Sequence, residues 1–89
     1  MKNTEWITLP SWASHRIPDE LDHVAKVIGE VKNVKSLSYT RQLQDYYAWA
    51  VDNNYTLRLY IRGGKGTVLS PALQAMERAG KIVVRRVIP

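Results

Sequence analysis

The sequence of 89 residues contains no cysteine. Disulfide frameworks, cysteine-ligated zinc sites and thiol catalysis are therefore excluded, because each of them requires the sulfur atom of that residue. The sequence also has no apolar run approaching the ~18 residues that a membrane-spanning helix needs, so we expect no contact with a membrane through such a span. Residues 1–14 lack the basic-then-apolar order of a signal peptide, so any export would use another route.

Acidic side chains are scarce relative to basic ones. Eight Asp and Glu stand against thirteen Lys and Arg, which leaves a formal net charge of +5. A surface of this sign attracts polyanions such as nucleic acid, anionic lipid or an acidic protein, and charge alone does not choose among them. The hydrophobic share of 45% is ordinary for a globular chain, and the length suits one domain.

The first predicted element of the body is a β-hairpin over residues 16–35, which is rich in β-branched side chains and turns near Asp22 and His23. A helix over residues 20–28 is the competing interpretation, since several residues there favour helices. Gly29 weakens that alternative. Residues 1–15 predict an extended arm that packs its tryptophans, Trp6 and Trp12, onto the body.

Two helices are predicted further along the chain. Residues 39–53 carry an apolar stripe at helical spacing, with Ser38 or Thr40 as the N-cap. The members of this stripe are Leu43, Tyr46, Tyr47, Ala50 and Val51. A second helix is expected to start after the N-cap Ser70, because Pro71 suits the first helical position. It is expected to end at Gly80, because glycine favours the position just after a helix.

Strands are predicted at residues 55–62, where apolar and polar side chains alternate, and at residues 81–88. The glycine-rich segment 63–66 between them lacks the spacing of a phosphate-binding loop and is interpreted as a turn. The element order is then β-β-α-β-α-β, which indicates an α/β or α+β domain with a mixed sheet.

Three residues of the predicted hairpin carry the chemistry. Glu30 and Lys32 lie two apart on one strand and therefore point the same way, and Asp19 on the partner strand can face them. Carboxylate oxygens are what Mg²⁺ prefers, and the ion usually takes one or two of them. A metal so held can activate water, and the lysine can neutralise charge on a phosphate. Asp22 remains an alternative to Asp19.

The spacing of Pro18-Asp19 and Glu30-Val31-Lys32 resembles the PD-(D/E)XK motif of restriction-endonuclease-like nucleases. More narrowly, residues 16–50 resemble the restriction-endonuclease-fold toxin domains found at the C-termini of bacterial polymorphic toxins. The matching segments are residues 16–19, 29–34 and 37–43, and the remainder is similar to the closing β-α-β of that family. The resemblance covers residues 16–89, which would form the nuclease toxin domain behind an arm of residues 1–15.

The resemblance implies a magnesium-dependent (or manganese-dependent) nuclease toxin that is secreted or injected and degrades DNA in the target-cell cytoplasm. RNA is not excluded as a substrate. Asp19 and Glu30 would be metal ligands, Lys32 the catalytic lysine and Gln42 an assisting polar group. A cognate immunity protein and the parent toxin or secretion-system polypeptide would be its partners.

Several other residues are open to more than one interpretation. Lys35 and Arg41 flank the predicted cleft and are candidates for phosphate contacts, with ordinary solvated charges as the alternative. Trp49 lies off the apolar stripe and is a candidate for base stacking. The late basic residues are expected to form a solvated face or a partner surface. They are Arg58, Arg62, Lys65, Arg85 and Arg86.

The resemblance departs from its family at the front of the chain. The family core opens with a helix, whereas Pro10 interrupts the short segment before Arg16. An opening helix is therefore expected to be missing or truncated, and part of the sheet to need a covering partner or a second copy of the chain. The competing function is a small basic module of the same fold that binds nucleic acid or an acidic partner without catalysis.

Overall fold

The computed structural model describes residues 3–9 and 15–89. Their strands are β1 (Ile7–Thr8), β2 (His15–Arg16), β3 (Glu20–Asp22), β4 (Val27–Lys32), β5 (Ser36–Leu37), β6 (Thr56–Arg62), β7 (Val68–Leu69) and β8 (Ile82–Ile88). The helices are α1 (Arg41–Asn53) and α2 (Pro71–Arg78). None of the described helices is long and apolar enough to cross a membrane.

The central sheet has the strand order β3-β4-β6-β8. Strand β3 is antiparallel to β4, while β4, β6 and β8 run parallel, so the sheet is mixed. Together with α1 and α2 these strands give the order β-β-α-β-α-β, and the predicted fold class is confirmed. No helix precedes the sheet within the described ranges; the short pair β1-β2 lies there instead.

The hairpin of β3 and β4 is present, and the alternative helix over residues 20–28 is wrong. Residues 23–26 form the turn, in which Lys26 adopts a positive φ of 60° that ends any helical course. The carboxylate of Asp22 accepts hydrogen bonds from the N–H groups of Val24 and Ala25 at 3.0 and 2.9 Å. These local hydrogen bonds stabilise the turn. They outweigh the helix propensity of the segment.

Both helices begin after an N-cap residue whose hydroxyl accepts a hydrogen bond from the first turn. Thr40, not Ser38, is the N-cap of α1, and Ser70 caps α2 with Pro71 in the first turn. Each cap hydroxyl accepts from the N–H three residues on, at 3.3 Å. Asn54, with φ at 61°, ends α1 in the left-handed conformation.

The core lies between α1, α2 and one face of the sheet. Its buried members from the sheet are Ile28, Leu57, Leu59, Ile61 and Ile82, and those from the helices are Leu43, Tyr46, Ala50 and Leu73. Tyr47 is only partly buried against this cluster, and Val51 is 56% exposed, so the predicted stripe is too wide. The reason is that α1 packs mainly against β4 and β6, which a narrower face suffices to cover.

The segment before β3 is tied to the body by its aliphatic residues rather than by its tryptophan. Ile7 and Leu9 are buried in the core, and β1 pairs with β2. Trp6 is 61% exposed, so the expectation that it packs onto the body is wrong; its ring lies 5.0 Å from that of His15. The expectations for Trp12 and Pro10 fall outside the described residues.

The second face of the sheet carries no helix in the described part of the chain. Both helices contribute to the core on the other face. Val31, Val83 and Val87 are exposed among polar neighbours on the uncovered face. Here Tyr60 donates to Glu20 at 2.6 Å.

Candidate active site

Four residues that the sequence predicts as site residues meet where β3, β4 and α1 adjoin. They are Asp19, Glu30, Lys32 and Gln42. The N–H of Asp19 donates to Oε1 of Glu30 at 3.0 Å, and Oδ2 of Asp19 accepts from the N–H of Val31 at 2.8 Å. Nζ of Lys32 lies 3.5 Å from Oε2 of Glu30 and donates to Oε1 of Gln42 at 2.6 Å. The structure therefore brings the two carboxylates, the lysine and the glutamine into one cluster.

Glu30 is the buried member of this cluster, with 4% of its surface exposed. Burial raises the pKa of its carboxyl above the ordinary value, and the neighbouring charge of Asp19 raises it further. The hydrogen bond from the Asp19 N–H and the charge of Lys32 act in the opposite direction. A buried carboxylate beside a second one is a group that a cation would stabilise.

Lys32 is held from two elements at once. Its strand places it on the helix-covered face beside Glu30, and Gln42 reaches it from the first turn of α1. A lysine ammonium has three donors, and these two acceptors leave capacity for a further oxygen. The cluster can therefore present a fixed positive charge next to its two carboxylates.

Asp19 is fixed by a residue that sequence analysis missed. Asn3 donates through Nδ2 to the carbonyl of Pro18 at 2.9 Å, and its own N–H donates to the carbonyl of Asp19 at 3.1 Å. Pro18 is fully buried. The N-terminal segment thus holds the backbone that carries the aspartate, a contact that nothing in the local pattern around Asn3 signals.

Tyr46 lies beneath the cluster, one helical turn after Gln42. The apolar stripe predicts Tyr46 in the core, and the residue is 1% exposed. Burial raises the pKa of its phenol to about 12, with the charges of Glu30 and Asp19 adding to the effect. The hydrogen bond with the Gln42 side chain lowers it. The phenol therefore belongs to both the core and the floor of the site.

The two candidate phosphate-binding residues lie on different elements. Lys35 is exposed in the bend that follows β4. Arg41 is exposed at the start of α1 and pairs with Asp45 at 3.1 Å. The same aspartate binds Arg16, also at 3.1 Å, so this edge of the site holds two guanidinium groups around one carboxylate.

Other candidates lie away from the cluster. Asp22 is at the far end of the hairpin, opposite Val27, and its carboxylate serves the turn. His23 lies in that same turn, where its ring bonds to Tyr55 and Glu5. Trp49 is partly buried with its ring 4.7 Å from that of Tyr55, edge to face, which leaves its ring unsuited to stacking on a base without rearrangement.

A metal site made only of protein side chains is not present in the part of the chain that the structure describes, since no three Asp, Glu, His or Cys side chains gather there. Asp19 and Glu30 supply two carboxylates instead. Two such ligands match the number that Mg²⁺ commonly takes when water and substrate phosphate complete its sphere. The donor set therefore fits this ion better than it fits zinc, which favours nitrogen and sulfur.

The sequence was compared with curated proteins, with solved structures and with protein families. The first two comparisons found no match. Among the families, the model described as restriction endonuclease fold toxin 7 matches residues 1–73, a range that includes all of the clustered residues described above. The match extends over most of the chain, and the chain therefore belongs to the restriction endonuclease fold toxin family.

Proposed function

We propose that this protein is a metal-dependent nuclease that hydrolyses phosphodiester bonds, with DNA as its substrate. The observation that carries the proposal is the convergence of Asp19, Glu30 and Lys32, with Nζ of the lysine 3.5 Å from the buried carboxylate. Two carboxylates facing a phosphate would repel it unless a cation lay between them. The membership of a restriction endonuclease fold toxin family supports the same reaction class.

Asp19 and Glu30 would hold the metal, for which Mg²⁺ or Mn²⁺ is the natural candidate. When bound, the ion would lower the pKa of a water molecule and offset negative charge on the phosphate. The chain contributes the orientation of the ligands. The N–H of Asp19 fixes Oε1 of Glu30, and the N–H of Val31 fixes Oδ2 of Asp19, so both carboxylates are positioned before any ligand arrives.

Lys32 would stabilise the negative charge that develops on the attacked phosphate. Gln42 would keep the ammonium group aligned, because its amide oxygen accepts from Nζ at 2.6 Å. Lys35 and Arg41 would contact phosphates on either side of the scissile bond and set the position of the strand. None of these roles requires the protein to distinguish one base from another.

As a member of a toxin family, the protein would act on the nucleic acid of another cell. We propose that it is delivered as part of a larger toxin or secretion-system polypeptide, acts in the target-cell cytoplasm, and is neutralised by an immunity protein. The uncovered face of the sheet, with Val31, Val83 and Val87 exposed, is a surface that a partner or a second copy could cover.

The competing function is a basic module of the same fold that holds nucleic acid without cutting it. The net charge of +5 suits it equally well. The buried position of Glu30 favours the enzyme, because a binding module gains nothing from a buried carboxylate beside a phosphate site.

Plasmid cleavage tests the proposal. Supercoiled DNA is incubated with the protein, with and without Mg²⁺, beside the variants Glu30→Gln and Lys32→Ala. We expect cleavage only with the metal, and only by the wild type. Glu30→Gln keeps the size and one acceptor oxygen of the side chain, so circular dichroism should report an unchanged fold.

A matched control is Glu5→Gln. The carboxylate of Glu5 is exposed and pairs with His23 at the other end of the hairpin. This variant should cleave at the wild-type rate. Cleavage by Glu30→Gln at that same rate, or cleavage by the wild type that persists in excess chelator, would refute the proposed mechanism. Plasmid binding by the wild type without any cleavage would favour the non-catalytic module.

A further inference from the structure

An open groove of about 550 Å³ lies beside the candidate active site and has no part in the mechanism above. The turn of residues 63–66, strand β7, helix α2 and strand β8 form its walls. Its lining residues include Lys65, Thr67, Gln74, Glu77, Arg78 and Arg86. The groove therefore carries several polar and basic side chains, although apolar atoms, including those of Val68 and Leu69, make up most of its lining surface.

The charge of the groove is positive and not neutralised by its own acidic residue. Among the described lining residues Glu77 is the single carboxylate, and both of its oxygens pair with the guanidinium of Arg86 at 2.8 and 2.9 Å. Lys65 and Arg78 form no ion pair with a described residue. Both are exposed, so two cations remain for a ligand.

Hydrogen bonds connect the groove to the loop that follows Lys32. The hydroxyl of Thr67 donates to the carbonyl of Val34 at 2.6 Å, two residues after Lys32. Arg62 donates through Nε to Oδ1 of Asn33 at 2.7 Å, and its own N–H donates to Thr67 at 3.2 Å. Since β4 and β6 are parallel neighbours, this end of both strands lies along one edge of the sheet. Arg86 of the groove and Lys32 of the candidate active site also lie in one cross-strand row, with Ile61 of β6 between them.

We infer that this groove binds the sugar-phosphate backbone of the nucleic acid substrate, away from the bond that is cut. This inference rests on the proposed function and names a second contact region for the same substrate. Lys65 and Arg78 would each contact a phosphate, and Gly64, exposed with open space around it, lets the strand approach the turn closely. Backbone phosphates suit the groove because point charges on exposed side chains position a strand without reading its sequence.

Salt dependence of DNA binding tests this inference. The probe is a fluorescein-labelled DNA duplex with no Mg²⁺ present, and every protein carries Glu30→Gln, so cleavage does not interfere. Anisotropy titrations over a range of salt concentrations give the slope of log affinity against log salt. Because each phosphate contact contributes about 0.9 to that slope, Lys65→Ala and Arg78→Ala should each make it shallower by about 1.

The matched control is Lys81→Ala, which removes the same charge from an exposed residue that precedes β8 and does not line the groove. It should leave the slope unchanged. The inference is overturned if Lys65→Ala and Arg78→Ala leave the slope unchanged, as Lys81→Ala does. It is also overturned if the protein that carries Glu30→Gln alone does not bind the duplex. If the groove instead binds an acidic protein, Lys65→Ala and Arg78→Ala should leave the slope for DNA unchanged.

The two proposals fail in different ways. If the unmutated protein cuts plasmid with Mg²⁺ but the groove variants bind like the control, the nuclease stands and the groove does not. If the groove variants bind with a shallower salt slope than the control but the unmutated protein cuts no plasmid with any metal, the groove binds nucleic acid and the proposed reaction is wrong. Thermal unfolding of each variant checks that its fold is intact.

Discussion

Nζ of Lys32 lies 2.6 Å from Oε1 of Gln42, and this hydrogen bond joins β4 to the first turn of α1. The bond matters because the lysine stem has four rotatable bonds and would otherwise sample many positions. Through it, the register of the helix decides where the positive charge of the site lies.

Gln42→Ala should slow plasmid cleavage about tenfold, because losing an alignment worth ~1.4 kcal/mol in the transition state corresponds to that factor. The free energy of unfolding should change little, since the residue lies only half-buried at the start of α1. Gln44→Ala is the control, an exposed glutamine of the same helix that donates to the carbonyl of Tyr39. A cleavage rate for Gln42→Ala equal to that of Gln44→Ala would remove Gln42 from the site.

Asp19→Asn should not destabilise the metal-free protein. The substitution removes the charge that helps to raise the pKa of Glu30, while the asparagine oxygen can still accept from the N–H of Val31. Mg²⁺ should raise the melting temperature of the wild type and raise that of the variant less, because a ligand stabilises the state that binds it. Thermal scans with and without the ion measure both, and equal shifts in the two proteins would show that Asp19 is not a ligand.

Gly29→Ala should destabilise the fold by about 1–3 kcal/mol, the usual cost of overpacking. A Cβ at residue 29 would lie 2.5 Å from Oε1 of Glu20 and 3.1 Å from the Tyr60 ring, whose hydroxyl already bonds that carboxylate. Urea unfolding measures the change. Gly64→Asn is the control, since residue 64 has open space around it and a φ of 59° that asparagine tolerates. Similar losses of unfolding free energy in both variants would contradict the steric explanation.

Stability should fall in alkaline solution through the phenol of Tyr46. Its pKa is raised to about 12 in the folded protein, against about 10 in the unfolded chain. The folded state therefore holds this proton more tightly, so its contribution is complete below about pH 10 and is lost as the pH rises towards about 12.

Tyr46→Phe removes this titration. Between about pH 9 and about pH 11 the wild type should lose ~1 kcal/mol more unfolding free energy than the variant, by the same linkage. Urea titrations at the two pH values measure the difference. Tyr39 and Tyr60 also have a raised pKa, so part of the alkaline loss should remain in the variant. Identical losses in both proteins would mean that Tyr46 does not titrate as described.

The order and type of the two helices and the strands of the central sheet could be read from the sequence because their signals are local, whereas the short strands β1, β2, β5 and β7 were not predicted. The alternation from Leu57 to Ile61 predicts a strand, and the cap residues mark the helix starts, at Ser38 or Thr40 for the first helix and at Ser70 for the second. The spacing of Glu30 and Lys32 also suffices to place them on one face, since alternation along a strand is independent of the rest of the fold. The mixed sheet follows from the same element order.

Tertiary structure alone decided what surrounds those residues. The sequence pattern does not encode that Asn3 binds the backbone of Pro18 and Asp19, that Tyr46 forms the floor of the site, or that Thr67 joins a second groove to Val34. These contacts join residues far apart in the chain, and their distances depend on how β4, β6 and α1 pack. Local patterns determined which chemical groups this protein possesses; packing between distant segments determined which of them meet, because hydrogen bonds and burial depend on position in space.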